Sequence, residues 1–202
     1  MKLVYLFLFL FLSLCSFSQS SEKQGYLFDE KGEEISQQIF QQKTKTGKYT
    51  WVTDETKDSI NARLILLEEY GEITPEQKEK LLENLKEITG KTINNNQTII
   101  INFAFIKETP NQRHCLDYYS SVKSYRNHFR NKEQFAQVYI RQQGFDYTKD
   151  FVFEDKNDEI RKQLFPYGSH CNYIIIKPNG RFYRQMSEHH QDKIPSKAKA
   201  DW

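Results

Sequence analysis

The chain has 202 residues, with 29 lysines and arginines against 27 aspartates and glutamates, a formal net charge of +2. So even a balance provides no field to hold nucleic acid or an anionic membrane. The 12 tyrosines and 15 phenylalanines supply enough aromatic area to close one core in a chain otherwise rich in Lys, Glu and Gln.

Met1 and Lys2 form a short positive start, and residues 3–14 are apolar except for Tyr5 and Ser13. Ser16 and Ser18 flank Phe17 at the two places a signal peptidase reads. Residues 1–18 are therefore expected to be a signal peptide cleaved before Gln19, giving an exported protein, periplasmic or extracellular. The apolar run is too short to span a bilayer, so no transmembrane helix is expected in the mature chain. The alternative is a lipoprotein anchored through Cys15, for which Leu14 is a poor fit because processing wants a small residue there.

Residues 19–96 are expected to form an N-terminal extension. Tyr26-Leu27-Phe28 looks like a short strand followed by a turn at Gly32 and a return, and Trp51-Val52 like a second short strand. A helix is predicted over about 58–70, with Asp58 or Ser59 as N-cap, Ile60, Leu64 and Leu67 on one face, and Gly71 as terminator. A second is predicted over about 75–89. Thr74-Pro75-Glu76-Gln77 reads as a capping box, Leu81, Leu82, Leu85 and Ile88 as the buried stripe, and Gly90 as the stop. Asn94-Asn95-Asn96 reads as a connector.

Beyond residue 97 the pattern alternates between strand and helix. Residues 98–106 form an apolar run rich in Ile and Phe, the mark of a strand covered on both faces. Cys115, Tyr118, Tyr119, Val122, Tyr125 and Phe129 recur at helical spacing over 112–130. Residues 135–140 form a strand, 155–165 a short helix ending at Pro166, and 173–176 and 181–186 a hairpin about Lys177-Pro178-Asn179-Gly180. Lys193, Lys197 and Lys199 fall in a short polar C-terminal tail, read as solvated.

The order β-α-β-α-β-β gives an α/β class. Thr98-Ile99-Ile100-Ile101-Asn102-Phe103 resembles the central strand of the thioredoxin-like superfamily, and Cys171 through Arg181 resembles its terminal hairpin. The resemblance covers residues 97–188 and implies a three-layer sandwich around a mixed four-stranded sheet. The redox members carry Cys-x-x-Cys at the head of the helix after the central strand. Here Gln112-Arg113-His114-Cys115 fills only the second cysteine position, so dithiol chemistry does not carry over.

Once a signal is removed, Cys115 and Cys171 remain. An even count in an exported chain favours a disulfide, and the resemblance implies that both lie at one end of the sheet. Two reduced core cysteines, or a redox pair assisted by His114 and His170, are the alternatives. No spacing implies a metal site or a cofactor, and His128, His189 and His190 read as surface residues. The function expected is that of an exported thioredoxin-like domain without a dithiol active site, acting as a binding or structural module, with an unidentified protein or small molecule as partner. The alternative is a thiol–disulfide oxidoreductase using Cys115 and Cys171.

Overall fold

Thr98–Ala104 is buried at all of its positions, and the fold is arranged around that strand. The computed structural model describes residues 23–106, 116–117, 122–147, 149–167, 171–187 and 189–202. In chain order the elements are β1 (Gln24–Phe28), α1 (Gln37–Lys45), β2 (Tyr49–Glu55), β3 (Ser59–Leu66), β4 (Glu68–Glu72), α2 (Pro75–Thr89), β5 (Thr98–Ala104), α3 (Lys123–Arg130), β6 (Phe135–Gln142), β7 (Val152–Asp155), α4 (Glu159–Leu164), β8 (Cys171–Ile176), β9 (Arg181–Gln185) and α5 (Ile194–Lys199). Expectations for residues 1–18, Cys15, His114, Cys115 and His170 fall outside the described residues.

The main sheet runs β4-β9-β8-β5-β6-β7. β5 is parallel to β6 and antiparallel to β8, and β8 turns back as an antiparallel hairpin with β9. The central four strands, β6-β5-β8-β9, thus have the order and directions expected of a thioredoxin-like fold. β4 and β7 extend the sheet to six strands by pairing with β9 and β6. A strand buried on both faces must feed two cores, and β5 does so by alternation. Ile99, Ile101 and Phe103 join Leu81 and Leu85 of α2 and Ile160 and Leu164 of α4. Ile100 and Ala104 join Tyr125 and Phe129 of α3 and Ile194 and Ala198 of α5. Each buried isoleucine contributes about 2 kcal/mol of transfer free energy.

The hairpin turn forms as its residues predict. Gly180 has φ +89°, its N–H donates to the Lys177 carbonyl at 3.0 Å, and the Asn179 Oδ1 accepts from the Arg181 N–H at 3.1 Å. A Cβ at Gly180 would lie 2.7 Å from the Ile73 carbonyl oxygen, so both the dihedral and the close approach require glycine. α2 has the predicted punctuation: a Thr74–Gln77 capping box, Pro75, and Gly90 in the left-handed conformation.

Four expectations are corrected. Residues 58–70 are not helical; they form β3, a bend at Leu67 and the start of β4. The helical spacing of Ile60, Leu64 and Leu67 coexists with an alternation of Ile60, Ala62, Leu64 and Leu66. Pairing decides between them, because β3 is the middle strand of a second sheet, β1-β3-β2, bonded on both edges. Asp58 and Ser59 cap nothing; their N–H groups donate to the Thr56 hydroxyl in the turn before β3. Gly71 stops no helix: it lies within β4 under the Phe182 ring, where a Cβ would approach Cζ to 2.5 Å.

Second, the described part of the 112–130 helix is interrupted. α3 starts at Lys123, and Val122 before it is extended at φ −81°, ψ 94°. Third, the C-terminal stretch is not a solvated tail: Ile194 and Ala198 of α5 are buried against the sheet. Fourth, β4 and α2 lie in the stretch expected as an extension, yet Ile65, Ile73, Leu81 and Leu85 share one core with β5. Among the described residues, no helix is long and apolar enough to cross a membrane.

Candidate functional site

Cys171 heads β8, opposite Ala104 at the end of β5. It packs half-buried against the cluster that holds Leu116, Tyr125, Tyr139 and Tyr173. Cys171 is disulfide-bonded, and its partner sulfur lies outside the described residues. The other sequence-derived candidates, Cys115, His114 and His170, lie outside them too, so of the four only Cys171 is placed.

Around it the structure assembles polar groups that the cysteine-centred reading missed. Asn102 is fully buried in β5, where its Oδ1 accepts from the Tyr125 hydroxyl at 2.9 Å. Asn172, also fully buried, accepts through Oδ1 from the Ser187 N–H at 3.2 Å. Ser187 has φ +71°, a conformation unfavourable for serine that this hydrogen bond helps to hold. The detectable signal was a single polar residue inside each of two apolar runs, because a buried amide is expected to bring its partners with it.

His189 is not a surface residue. Its ring centroid lies 4.4 Å from that of Tyr173, and its Nδ1 lies 2.9 Å from the Ser187 carbonyl oxygen. A carbonyl can only accept, so Nδ1 carries the proton and Nε2 is the basic nitrogen. Burial, aided by the neighbouring His190 charge, pulls the His189 pKa down to about 4 against the opposing pull of the Ser187 carbonyl. The imidazole is therefore neutral at pH 7. Burial likewise pushes the Tyr173 and Tyr183 hydroxyls up, which keeps both protonated. His128 packs half-buried beside Phe129, and burial with the Lys132 and Lys199 charges lowers its pKa. His190 is exposed, as expected.

At the opposite end of the strands, Lys78 of α2 is 6 % exposed. Its ammonium donates to the Asn95 carbonyl at 2.8 Å and the Pro178 carbonyl at 2.6 Å. It ties α2, the 94–97 turn and the hairpin turn together, and burial lowers its pKa. The cleft there, about 750 Å³, is walled by Glu72, Thr74, Asn95 and Asn179. Among the described residues, no group of three or more His, Cys, Asp or Glu is placed to hold a metal.

No family model matches the chain, and no curated protein does. Two solved structures resemble it. One is a thiol-disulfide oxidoreductase from Bacteroides fragilis NCTC 9343, at 15 % identity and TM-score 0.35, over 52 % of this chain and 80 % of that one. The other is a solution structure of a proposed thioredoxin from Neisseria meningitidis, at 13 % identity and TM-score 0.39, over 74 % of this chain and 86 % of that one. At those scores the likenesses transfer no activity. The thioredoxin-like fold stands on the strand order and directions of the sheet itself.

Proposed function

We propose that the chain is an exported thioredoxin-like domain that works as a binding or structural module, its Cys115 and Cys171 joined in a structural disulfide. The observation that supports this reading most is the setting of Cys171. It starts an interior strand, half-buried against an aromatic cluster, and its sulfur is already bonded. A redox cysteine needs an exposed thiolate of depressed pKa, and the sequence lacks the Cys-x-x-Cys that usually supplies one. A bridge closing 57 residues stabilises by about 4 kcal/mol in the chain-entropy model.

Thiol counting and equilibration against glutathione buffers test this reading. The mature protein should show no free thiol and resist reduction, since structural disulfides lie below about −300 mV. Cys115→Ser and Cys171→Ser should lower the melting temperature by similar amounts. A bond that reduces readily, with turnover of a model disulfide lost in both variants, would establish the oxidoreductase instead. Export belongs to the same proposal, and mass spectrometry of the processed protein should find Gln19 at its start.

A further inference from the structure

β2 is an outer strand of the three-stranded sheet: among the described residues, Tyr49–Glu55 pairs with β3 on one side and with no strand on the other. Its register with β3 is unbroken from Tyr49↔Leu66 to Glu55↔Ile60, with no proline and no bulge. The hydrogen bonds at its two ends fix which backbone groups point outwards. The Leu67 N–H donates to the Lys48 carbonyl at 2.9 Å, and the Thr56 N–H to the Ser59 carbonyl at 2.8 Å. Residues of an antiparallel strand alternate between bonding one neighbour and facing away from it. Lys48, Thr50, Val52, Asp54 and Thr56 therefore direct their backbone groups at β3, whereas Tyr49, Trp51, Thr53 and Glu55 aim theirs away. Folded proteins ordinarily blunt such a border with a bulge, a proline or charges along it, and here the charges sit only at the ends.

What lies along this border suits a copy of itself. Trp51, at its middle, is 54 % exposed, and the exposed Lys48 and Asp54 flank it symmetrically. An antiparallel partner strand must set outward-facing residues opposite outward-facing residues. Centred on Trp51, such pairing puts Trp51 opposite the partner's Trp51, Tyr49 opposite the partner's Thr53, and Thr50 opposite the partner's Val52. Lys48 then meets the partner's Asp54, and the two-fold axis repeats that ion pair at the other end. Centred on Val52 instead, Lys48 would meet the partner's Thr56 and no opposite charges would match. The chain leaves for the large sheet at the Leu67 seam beside Lys48, so antiparallel pairing also sets the two seams at opposite ends of the joined strands.

We propose that β2 joins a second copy of this chain edge to edge, in antiparallel register centred on Trp51, so that the two small sheets become one. Main-chain hydrogen bonds from Tyr49, Trp51 and Thr53 hold the strands together, the tryptophans pack beside each other across the axis, and Lys48 and Asp54 select the register. The inference gives the module reading a partner and rests on that reading, but it does not involve the cysteines. A thiol count and a mass measurement therefore fail separately.

The test is sedimentation equilibrium of the oxidised mature protein over about 1–300 μM, the range in which a contact as small as one strand edge should associate. The wild type should pass from monomer to dimer, and the dimer should separate into monomers in non-reducing denaturant. Lys48→Asp and Asp54→Lys each set like charges opposite one another across the axis, and each should weaken the dimer by about ten-fold or more. Mixed one to one, the two variants should associate about as tightly as wild type, because each supplies the charge that the other lacks. Thr53→Pro removes an N–H that β3 does not use, so it should abolish the dimer and leave the melting temperature near that of wild type. Lys48 and Asp54 are exposed, so their variants report even if Thr53→Pro folds poorly. A protein monomeric throughout that range, a dimer indifferent to Thr53→Pro or to the charge variants, charge variants that fail to combine, or a dimer that survives non-reducing denaturant would each overturn the proposal.

Discussion

The two sheets of this protein are held together by different physics. The six-stranded sheet is covered on both faces, and its middle strands bury nearly every side chain they carry. The three-stranded sheet, β1-β3-β2, buries only Leu64 and Ile65, at the end of β3 where the chain approaches the larger core. Its helix α1 buries nothing, and Ile39, Trp51 and Ile60 are 43 %, 54 % and 42 % exposed. Strand pairing and polar ties hold it instead. The Asp29 carboxylate accepts from the Lys31 and Glu33 N–H groups, and Lys43 reaches Glu30 at 2.6 Å. That contact raises the Lys43 pKa and lowers that of Glu30. Partly exposed pairs of this kind contribute little, so the small sheet is expected to open locally well before the molecule unfolds.

The sharpest way to break the contrast is to remove the same kind of side chain from each sheet. Ile101→Ala in β5 should lose about 3–5 kcal/mol in urea denaturation, and Ile60→Ala in β3 less than about 1. Comparable losses would mean that the small sheet is as tightly packed as the large one.

A second difference is in acid response. A histidine whose folded pKa lies near 4, below an unfolded value near 6.5, favours the folded state fully above pH 6.5. That contribution is lost as pH falls from 6.5 towards 4, because the unfolded chain binds the proton first. Allowing for the partial exposure of His189, the loss should be about 2 kcal/mol, or roughly 5 °C in melting temperature. His189→Phe keeps a ring against Tyr173 and should flatten that slope. A pH profile identical to wild type would remove His189 as its cause.

Gly71→Ala probes the strand that joins the two regions. The methyl must displace the Phe182 ring, so a loss of about 1–2 kcal/mol is expected by chemical denaturation. Smallest of all, Glu30→Gln should change global stability by less than about 0.5 kcal/mol. It should still speed amide exchange in β1 and α1 more than in β5, measured by hydrogen–deuterium exchange.

The large sheet was legible because burial on both faces leaves a signature in the residues themselves. Residues 98–104 are apolar almost throughout, 173–176 likewise, and Asn179-Gly180 marks the turn between the hairpin strands. The small sheet was not, because its strands are settled by pairing across the chain. Ile60, Leu64 and Leu67 fit a helix as well as Ile60, Leu64 and Leu66 fit a strand, and only β1 and β2 decide. α1 left no stripe to read, since it buries nothing. At the candidate site, the residues that drew notice were rare ones, cysteine and histidine. The polar groups placed around Cys171 include amides, Asn102 and Asn172, whose meaning depends on a burial visible only in three dimensions.

The seam at Leu67, a single bend between β3 and β4, also bears on solubility. By placing β4 alongside β9, it covers one flank of the large sheet, whose outermost strand on that side, among the described residues, is the five-residue β4 itself, with Glu68, Glu69 and Glu72 along it. A fragment beginning at residue 97 would keep the four central strands yet bare the backbone of β9 and the apolar surface that α2 covers. Open hydrogen-bonding borders next to exposed isoleucines invite other chains to add on. Such a fragment is expected to self-associate, so the amino-terminal half acts as a guard against aggregation as well as a source of core.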